Sequence, residues 1–366
     1  MPRIQVIGRN LASHSGGAEQ SMYELLRRHH DLGDDIVVVT RKPSGKNHGL
    51  CGYNLSIRWR FIRVPKILSY LPFFEAFVVA RVFRNLKCDS TDLAQTYAYG
   101  TYALLANGVN NGTVRIYLRD QNDLAYVQAY ESNVLRRWLI LLRNFLDRPW
   151  RKAWQKKMVA ASQDARVEII ANSKFMSDWA KTKGYRVARI AIPEVNEARL
   201  RNGVAGGYLR YRGWNRGVVS LAGSEHKGLS TVLEAAFLMR DIDFYIVGRS
   251  RQMNHQPPNV YFLDKTAYGE FFALARVVII PSKWFEAYGR IAHEASLLDI
   301  PVVASNIGGL PEALKGAQRY RLIDPGAPIE VWVSALYEQL SLNNKWHDSG
   351  SDRESFCLGK GLSNRH

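Results

Sequence analysis

The sequence predicts an α/β protein built from two doubly wound domains, and three observations support this fold class. Short apolar runs with the pattern of buried parallel strands recur along the chain, separated by helical segments. The β-α-β order breaks off near residue 185 and resumes near residue 218. With 366 residues, the chain is long enough for two domains that each bury their own core.

The first domain is predicted over residues 1–185 and opens with a β-α-β unit. Its first strand is expected at Arg3–Gly8, followed by a loop that contains two adjacent glycines. A helix is expected over about 18–30, and Ile36–Thr40 has the composition of a second buried strand. The remaining predicted elements are strands at 93–96, 114–118 and 168–171 and helices at 74–86, 135–161 and 175–183.

The second domain is predicted over residues 186–340. Residues 185–217 contain five glycines, Pro193 and several arginines, so we expect an irregular segment that carries the domain junction. From residue 341 the composition becomes polar, and 341–366 are predicted to be a tail that packs back on the first domain. The predicted elements between them are strands at 218–222, 244–248, 277–280 and 300–305 and helices at 229–239 and from about 289.

The net charge of +17 is concentrated in the first part of the chain. Residues 1–200 hold 31 Lys and Arg against 17 Asp and Glu, whereas 201–366 hold 19 against 16. Such asymmetry suggests an anionic partner, which can be a phospholipid surface, a nucleic acid or a polyanionic substrate. Two basic stretches, 57–87 and 134–158, also contain Trp and Phe, which suits the boundary of an anionic bilayer. A long amphipathic helix with core-facing tryptophans is an equal alternative.

The cysteines and the first residues bear on the cellular compartment. Cys51, Cys88 and Cys357 are widely spaced and odd in number, so neither a disulfide framework nor a thiolate metal site is indicated. The first ten residues lack the apolar run of a signal peptide, and no segment offers 18 uncharged apolar residues. We therefore expect a cytoplasmic protein whose membrane contact, if any, is peripheral and at the inner face.

The residues from Pro281 to Leu314 carry the strongest functional signal. Glu286 and Glu294 stand eight positions apart, on either side of Gly289. A helix that begins near Gly289 offers unpaired backbone N–H groups and a positive end to a diphosphate. At about 1.5 Å per helical residue, the two carboxylates are separated by roughly 12 Å. They are therefore expected to contact groups on the two sides of a bound diphosphate.

This segment resembles the E-x7-E motif of retaining glycosyltransferases of the GT-B fold, in glycosyltransferase family four. The resemblance runs from about residue 3 to residue 340. Its further parts are Gly16-Gly17-Ala18-Glu19, Ile170-Ala171-Asn172-Ser173, Gly223-Ser224-Glu225-His226-Lys227-Gly228, Ile246-Val247-Gly248, Pro281-Ser282, Pro301-Val302-Val303-Ala304 and Gly308-Gly309-Leu310-Pro311-Glu312.

The resemblance implies two Rossmann-like domains that face a central cleft, with the acceptor on 1–185 and the donor on 186–340. It implies transfer of a sugar, with retention, from a nucleotide sugar to a hydroxyl of a glycan, lipid-linked or small-molecule acceptor. Glu286 then contacts the donor sugar, Glu294 holds the ribose, and Lys227 stabilises the leaving diphosphate. The nucleotide sugar is a co-substrate, and no metal or other cofactor is expected. Asp241-Ile242-Asp243 is interpreted as a polar turn rather than a metal site.

Two positions depart from the family's pattern. The family commonly has an arginine shortly before Lys227, where this chain has Ser224, Glu225 and His226. It often has a histidine at the strand end where this chain has Arg119, followed by Asp120, and we expect both of these side chains to line the cleft as catalytic groups. Donor contacts are expected from Gly16, Gly17, Gly223, Ser224, Arg249, Leu263, Ala287, Tyr288, Gly289, Arg290 and Ile291, with Arg249 and Arg290 as candidate substitutes for the missing arginine.

Two other readings of the sequence stay open. One is an inverting GT-B transferase or a nucleotide-sugar epimerase, which needs an acid or base residue of its own. The other is a basic membrane- or nucleic-acid-binding protein on a transferase-like scaffold without turnover. Nucleic acid is the less favoured partner, because no recognised binding module accompanies the charge. The sequence leaves the sugar, the base and the acceptor open.

Overall fold

The computed structural model describes residues 3–7, 17–41, 57–62, 90–93, 113–119, 138, 149, 152, 155–211, 217–248, 256–264 and 268–344. The chain divides into two compact units, Met1–Glu194 and Val195–His366. The domain boundary proposed from the sequence, after residue 185, falls within the first unit and close to its end.

The described strands of the first unit form one parallel sheet with the order β3-β2-β1-β4-β5-β6-β7. Its first, second, fifth and sixth strands confirm predicted strands. The fourth shares only Leu93 with the strand predicted at 93–96, whose other residues lie outside the described part of the chain. The third and seventh strands were not predicted. The strands are β1 (Arg3–Ile7), β2 (Asp35–Arg41), β3 (Arg58–Ile62), β4 (Ser90–Leu93), β5 (Thr113–Leu118), β6 (Val167–Ala171) and β7 (Val187–Ile190).

Two helices of the first unit match their predictions. Helix α1 spans Gly17–Asp31 and buries Met22 and Leu26 against the apolar side chains of β2. Helix α2 spans Lys174–Thr182, and its N-cap hydroxyl, Ser173 Oγ, accepts a hydrogen bond from the Met176 amide at 3.0 Å. Residues 155–161 are also helical, within the predicted helix 135–161, whereas the predicted helix at 74–86 lies outside the described residues.

The described strands of the second unit form a parallel sheet with the order β10-β9-β8-β11-β12-β13. In both sheets the order starts from a central strand and reverses beside it, which is the Rossmann-like arrangement. In the second unit the reversal lies between β8 and β11. The strands are β8 (Gly217–Ser220), β9 (Asp243–Val247), β10 (Val260–Leu263), β11 (Ala275–Ile280), β12 (Val302–Ser305) and β13 (Tyr320–Ile323).

Helices cover both faces of this second sheet, which explains why its strands are continuous apolar runs. Val218 and Phe244 belong to one apolar cluster and Val219 and Tyr245 to another, as expected for side chains that alternate between faces. Among the described residues, no helix is both long and apolar enough to cross a membrane. The helices are α3 (Glu197–Tyr211), α4 (Leu229–Leu238), α5 (Arg290–Leu297), α6 (Leu310–Ala313) and α7 (Ile329–Asn344).

The prediction of an irregular segment at 185–217 was wrong, because this segment contains β7 and the 15-residue helix α3. Two of the glycines in α3, Gly203 and Gly207, serve close packing instead of breaking the helix. A Cβ on Gly203 would lie 1.9 Å from the Tyr268 carbonyl oxygen, and one on Gly207 would lie 2.0 Å from the Glu270 carbonyl oxygen. Helix α3 therefore approaches the backbone of residues 268–270 more closely than any residue with a side chain permits.

Replacement of neighbouring glycines in α3 is expected to change stability in opposite directions. Gly206→Ala should raise the free energy of unfolding by roughly 0.5–1 kcal/mol, because alanine favours the helix and its Cβ would lie 4.0 Å from Glu270 Oε1. Gly207→Ala should lower it by about 1–3 kcal/mol through overpacking. Urea denaturation of both variants measures the difference. Equal effects of the two substitutions would refute the close-packing role.

Helix α7 runs past the predicted start of the tail at 341, because it continues through Asn344. Its apolar side packs on the sheet through Trp332, Leu336 and Leu340, all of which are buried. The rest of the predicted tail, including its docking on the first unit, lies outside the described residues.

Candidate functional site

The topology of the second sheet brings two of the predicted site residues together. The loop after β8 carries Lys227, and the loop after β11 carries Glu286. These two strands are neighbours at the point where the strand order reverses. In doubly wound sheets, ligands bind in the crevice outside the carboxyl ends of the strands at this point. The order of the strands thus brings the two predicted residues to this point.

Lys227 and Glu286 form an ion pair across the two loops. The Lys227 ammonium donates to Glu286 Oε1, and the Ser282 hydroxyl donates to the same oxygen at 3.1 Å. The Lys227 and Glu286 side chains are 38% and 19% exposed, so both charges are accessible from solvent. The sequence suggested a role for each residue separately, but it gave no sign that they contact each other.

A second set of contacts fastens the two loops together. The Lys283 amide donates to the His226 carbonyl oxygen at 3.0 Å, and the Lys283 ammonium donates to Glu225 Oε1 at 2.6 Å. Burial raises the pKa of Glu225, but the hydrogen bonds from Lys283 and Ser230 outweigh burial, so the net pKa is lowered. Gly228 has a φ of 83°, and a Cβ there would lie 1.9 Å from the Pro281 carbonyl oxygen. Glycine is therefore required where the loops meet.

The residues between the two glutamates form the start of α5, as predicted. Gly289 is the N-cap with a φ of 97°, and the helix begins at Arg290. Two glycines after β12, Gly308 and Gly309, pack against the backbone of this turn. The Gly309 amide donates to the Glu286 carbonyl oxygen at 2.7 Å, and a Cβ on Gly308 would lie 2.4 Å from that oxygen. The glycine pair therefore fixes the backbone of Glu286, a role that the sequence did not reveal.

Glu294 lies in a more enclosed place than Glu286. Its side chain is 2% exposed, and its Oε1 accepts hydrogen bonds from Arg290 Nε at 2.6 Å and from the Tyr268 hydroxyl at 2.9 Å. Burial raises the pKa of Glu294 above its ordinary value, and the contacts with Arg290 and Tyr268 offset only part of this rise. Arg290 was a candidate for the diphosphate, and the structure engages it with Glu294 instead, with a side chain only 9% exposed.

The other predicted donor residues of the second unit occupy varied positions. The Tyr288 ring is buried in the core, and burial with the nearby charge of Glu312 raises its pKa to about 12. Ser224 precedes the short helical turn that carries Lys227, and its hydroxyl lies 3.5 Å from His226 Nε2. The rest are half-buried: Gly223 in the loop after β8, Leu263 at the end of β10, Ala287 and Gly289 before α5 or at its start, and Ile291 in its first turn.

The predicted residues of the first unit are only partly described. Arg119 directly follows β5, and its guanidinium lies 5.4 Å from the centre of the Tyr117 ring. Gly17 is the first residue of α1. Gly16, Asp120 and, in the second unit, Arg249 lie outside the described residues. In the part of the chain that the structure describes, no cluster of three or more His, Cys, Asp and Glu side chains is placed to hold a metal ion.

Comparison with known sequences matches part of the second unit to a family. Residues 216–341 match the model of the family described as glycosyl transferases group 1. D-inositol 3-phosphate glycosyltransferase from Paenarthrobacter aurescens (strain TC1) is 35% identical over 89 residues, which make up 24% of this chain and 20% of that protein. The chain thus aligns with about a fifth of the length of this relative.

Comparison with solved structures extends the likeness to both units, at the level of the fold. Sucrose-phosphate synthase from Thermosynechococcus elongatus aligns with a TM-score of 0.67 at 15% identity, over 94% of this chain and 91% of its own. HepE from Anabaena, in complex with UDP-glucose, aligns with a TM-score of 0.62 at 17% identity, over 98% of this chain and 92% of its own. Residues 216–341 therefore match the glycosyl transferases group 1 family, in a chain with the α/β fold of GT-B glycosyltransferases.

Proposed function

We propose that the protein is a retaining glycosyltransferase that moves a sugar from a nucleotide sugar to an acceptor hydroxyl. The observation that carries this proposal is the pair formed by Lys227 and Glu286 at the strand-order reversal of the second sheet. A cation for a diphosphate and a carboxylate for sugar hydroxyls stand side by side there. The N-terminus of α5, three residues after Glu286, adds backbone N–H groups that the helix itself does not pair and that suit phosphate oxygens.

Each charged group has a distinct proposed role in donor binding. Lys227 neutralises the diphosphate, Glu286 accepts hydrogen bonds from hydroxyls of the transferred sugar, and Glu294 accepts them from the ribose. Two similarities support a nucleotide-sugar donor: the family match over 216–341, and the shared fold of a protein crystallised with UDP-glucose. The relatives named D-inositol 3-phosphate glycosyltransferase favour a hydroxyl group as the acceptor. Arg119 and Asp120 of the first unit are proposed to take part in acceptor binding.

The proposed reaction keeps the configuration of the anomeric carbon. The bond between this carbon and the diphosphate oxygen breaks while the acceptor oxygen bonds to the same face, and the acceptor proton passes to a diphosphate oxygen. Lys227 and the N–H groups of α5 stabilise the charge that develops on the departing diphosphate. Neither Glu286 nor Glu294 acts as a nucleophile in this scheme, because both are assigned to donor hydroxyls. Product NMR that shows an inverted anomeric centre would exclude it.

A ligand panel tests the donor site directly. UDP, GDP, ADP and dTDP, and the sugars attached to them, are added to the protein, and the midpoint of thermal unfolding is measured. A ligand that binds only the folded state raises this midpoint by mass action. We expect one base to give the largest shift, and release of that nucleoside diphosphate from its sugar in the presence of an acceptor. The absence of any shift across the panel would overturn the donor site.

The ion pair between Lys227 and Glu286 leads to a prediction that separates the diphosphate from the sugar. In the unliganded protein Glu286 competes with phosphate for the lysine. Glu286→Gln should therefore tighten the binding of UDP, by a factor of up to about 5, because a partly exposed pair stabilises by 0–1 kcal/mol. The same variant should lose turnover of the intact donor. Isothermal titration measures the first effect and product formation the second.

Glu338→Gln is the matched control for this experiment. Glu338 is a partly exposed carboxylate of the same unit, and it pairs with Arg321 away from the two loops. UDP affinity and turnover should both be unchanged in this variant. Weaker UDP binding by Glu286→Gln would show that the carboxylate does not compete for Lys227.

A peripheral position at the inner face of the membrane is proposed for the first unit. Most of the two basic and aromatic stretches lies outside the described residues, but Phe61 and Trp138 are described and exposed. Arg58 and Arg60 are exposed on the same strand as Phe61. Aromatic rings beside cations suit an anionic lipid surface, and this favours a lipid-linked acceptor. A nucleic-acid partner would account for the cations but not for the site in the second unit.

A further inference from the structure

The hydrogen bonds to Glu294 reach only one of its two carboxylate oxygens. Arg290 Nε and the Tyr268 hydroxyl both donate to Oε1, at 2.6 and 2.9 Å. Within the described part of the chain, Oε2 receives no hydrogen bond. Burying a carboxylate is costly, and its oxygens are normally both hydrogen-bonded. A buried carboxylate with one oxygen held and the other available has the form of a fixed acceptor for a ligand hydroxyl.

Tyr268 is itself held in place from several directions. The Arg199 and Arg290 guanidinium groups lie 5.0 and 5.7 Å from the centre of its ring, and Arg290 Nη2 lies 3.4 Å from its hydroxyl. Gly203 of helix α3 packs against the backbone of Tyr268, since a Cβ added to this glycine would lie 1.9 Å from the Tyr268 carbonyl oxygen. Burial, together with the charge of Glu294, raises the pKa of Tyr268 to about 12, so the hydroxyl keeps its proton and donates it.

Arg290 provides the charge that this arrangement needs. It stands one helical turn before Glu294 on α5, and the two side chains are almost fully buried together. Because burial favours the neutral acid, the adjacent guanidinium is required to favour the carboxylate. An ionised carboxylate accepts hydrogen bonds more strongly than a neutral acid does. Arg290 and Tyr268 therefore favour the charged form of Glu294 against the effect of burial, and they fix the direction of its carboxylate.

We propose that Tyr268 and Arg290 are positioning residues for nucleoside recognition. They hold Oε1 of Glu294, so that Oε2 accepts a hydrogen bond from a ribose hydroxyl of the nucleotide. This inference rests on the proposed donor site and adds the groups that make its ribose contact selective. It also gives α3 a part in nucleotide binding, because the close packing at Gly203 sets the position of Tyr268.

The test compares two ligands that differ only in the ribose hydroxyls. The affinities of UDP and of 2′,3′-dideoxyuridine 5′-diphosphate are measured by titration calorimetry for the wild type and for Tyr268→Phe. The wild type should prefer UDP. In the variant, the ratio of the two affinities should be about 10-fold smaller than in the wild type. A hydrogen bond to a charged group contributes about 1.4 kcal/mol or more, which corresponds to a tenfold change in affinity. The affinity for the dideoxy ligand should stay within about twofold, since that ligand makes no contact with Glu294.

Tyr245→Phe is the matched control. Tyr245 is a buried tyrosine of the same apolar cluster, and its hydroxyl also lies within hydrogen-bond distance of a carboxylate, Asp243, at 3.2 Å. Its removal should leave the preference for UDP unchanged. A thermal unfolding midpoint recorded for each variant separates lost stability from lost selectivity, and Arg290→Lys, which keeps the charge but not the guanidinium geometry, should also narrow the preference.

The outcomes distinguish the inference from the proposed function. If the wild type binds UDP and prefers it, and Tyr268→Phe keeps that preference, Tyr268 is structural only and the inference is overturned while the donor site stands. If the wild type binds both ligands equally, Glu294 does not contact the ribose hydroxyls. Both the proposed ribose contact and the inference are then overturned. If neither UDP nor any other nucleotide of the panel binds the wild type, the proposed function fails and the inference fails with it.

Discussion

Lys227→Ala is expected to lower kcat by about 100-fold or more, with a smaller change in KM. The lysine is proposed to meet the charge that develops on the diphosphate as the glycosidic bond breaks, so its effect should be greatest in the transition state. Loss of one preorganised group that stabilises such charge typically costs about 10²–10³ in kcat. Release of nucleoside diphosphate, followed at saturating donor, measures the loss.

Arg321→Ala is the control for this experiment. Arg321 is a cation on the same unit that pairs with Glu338, and both side chains are more exposed than the pair at the site. The substitution removes one positive charge without touching either loop, so kcat should be unchanged. A Lys227→Ala variant that keeps the kcat of the wild type and shows only a raised KM would assign the lysine to ground-state binding and contradict its proposed role.

Glu294→Ala is expected to destabilise the protein by about 3–5 kcal/mol. The substitution leaves the Arg290 guanidinium buried without its carboxylate, and removal of one partner from a buried ion pair has a cost of this size. The free energy of unfolding, obtained from a urea titration in which circular dichroism follows the loss of helix, measures the effect. Nucleotide binding should be lost as well, if Glu294 holds the ribose.

A double variant separates the two consequences of this substitution. Glu294→Leu combined with Arg290→Met removes both charges and fills the space with apolar side chains, which is often neutral or stabilising for a buried pair. The double variant should recover most of the lost stability but should still fail to distinguish UDP from its dideoxy analogue. A double variant as unstable as Glu294→Ala would show that the pair itself, and not the uncompensated charge, stabilises the unit.

Much of the fold followed from the sequence, because buried parallel strands are continuous apolar runs and helices between them have a different period. The strands at 35–41, 113–118 and 275–280 contain such runs and were predicted. β3 was missed because arginines alternate with apolar residues in it, and β13 because it has only four residues, one of them an arginine; parts of both strands are exposed. Helix α3 was missed because its glycines have the composition of a loop.

The candidate site divides in a similar way between sequence and structure. Glu286, Glu294 and Lys227 were found through a motif whose spacing is local, and Gly289 was recognised as the start of a helix because an N-terminus has a local signature. Tyr268 was not found, since it stands 26 positions before the carboxylate that accepts its hydrogen bond. Nothing in the order of residues connects positions so far apart when their contact depends on the packing of a third element, α3.

The sequence by itself determined the α/β class, the order of most strands and helices, and the identity of the charged groups at the site, because each depends on residue type and short-range period. The tertiary structure decided which of those groups are partners. It joined Lys227 to Glu286 because β8 and β11 are adjacent only after the sheet has formed. It also buried Glu294 together with Arg290 and directed the Tyr268 hydroxyl to the Glu294 carboxylate. Burial and hydrogen-bond direction depend on packing, which composition does not reveal.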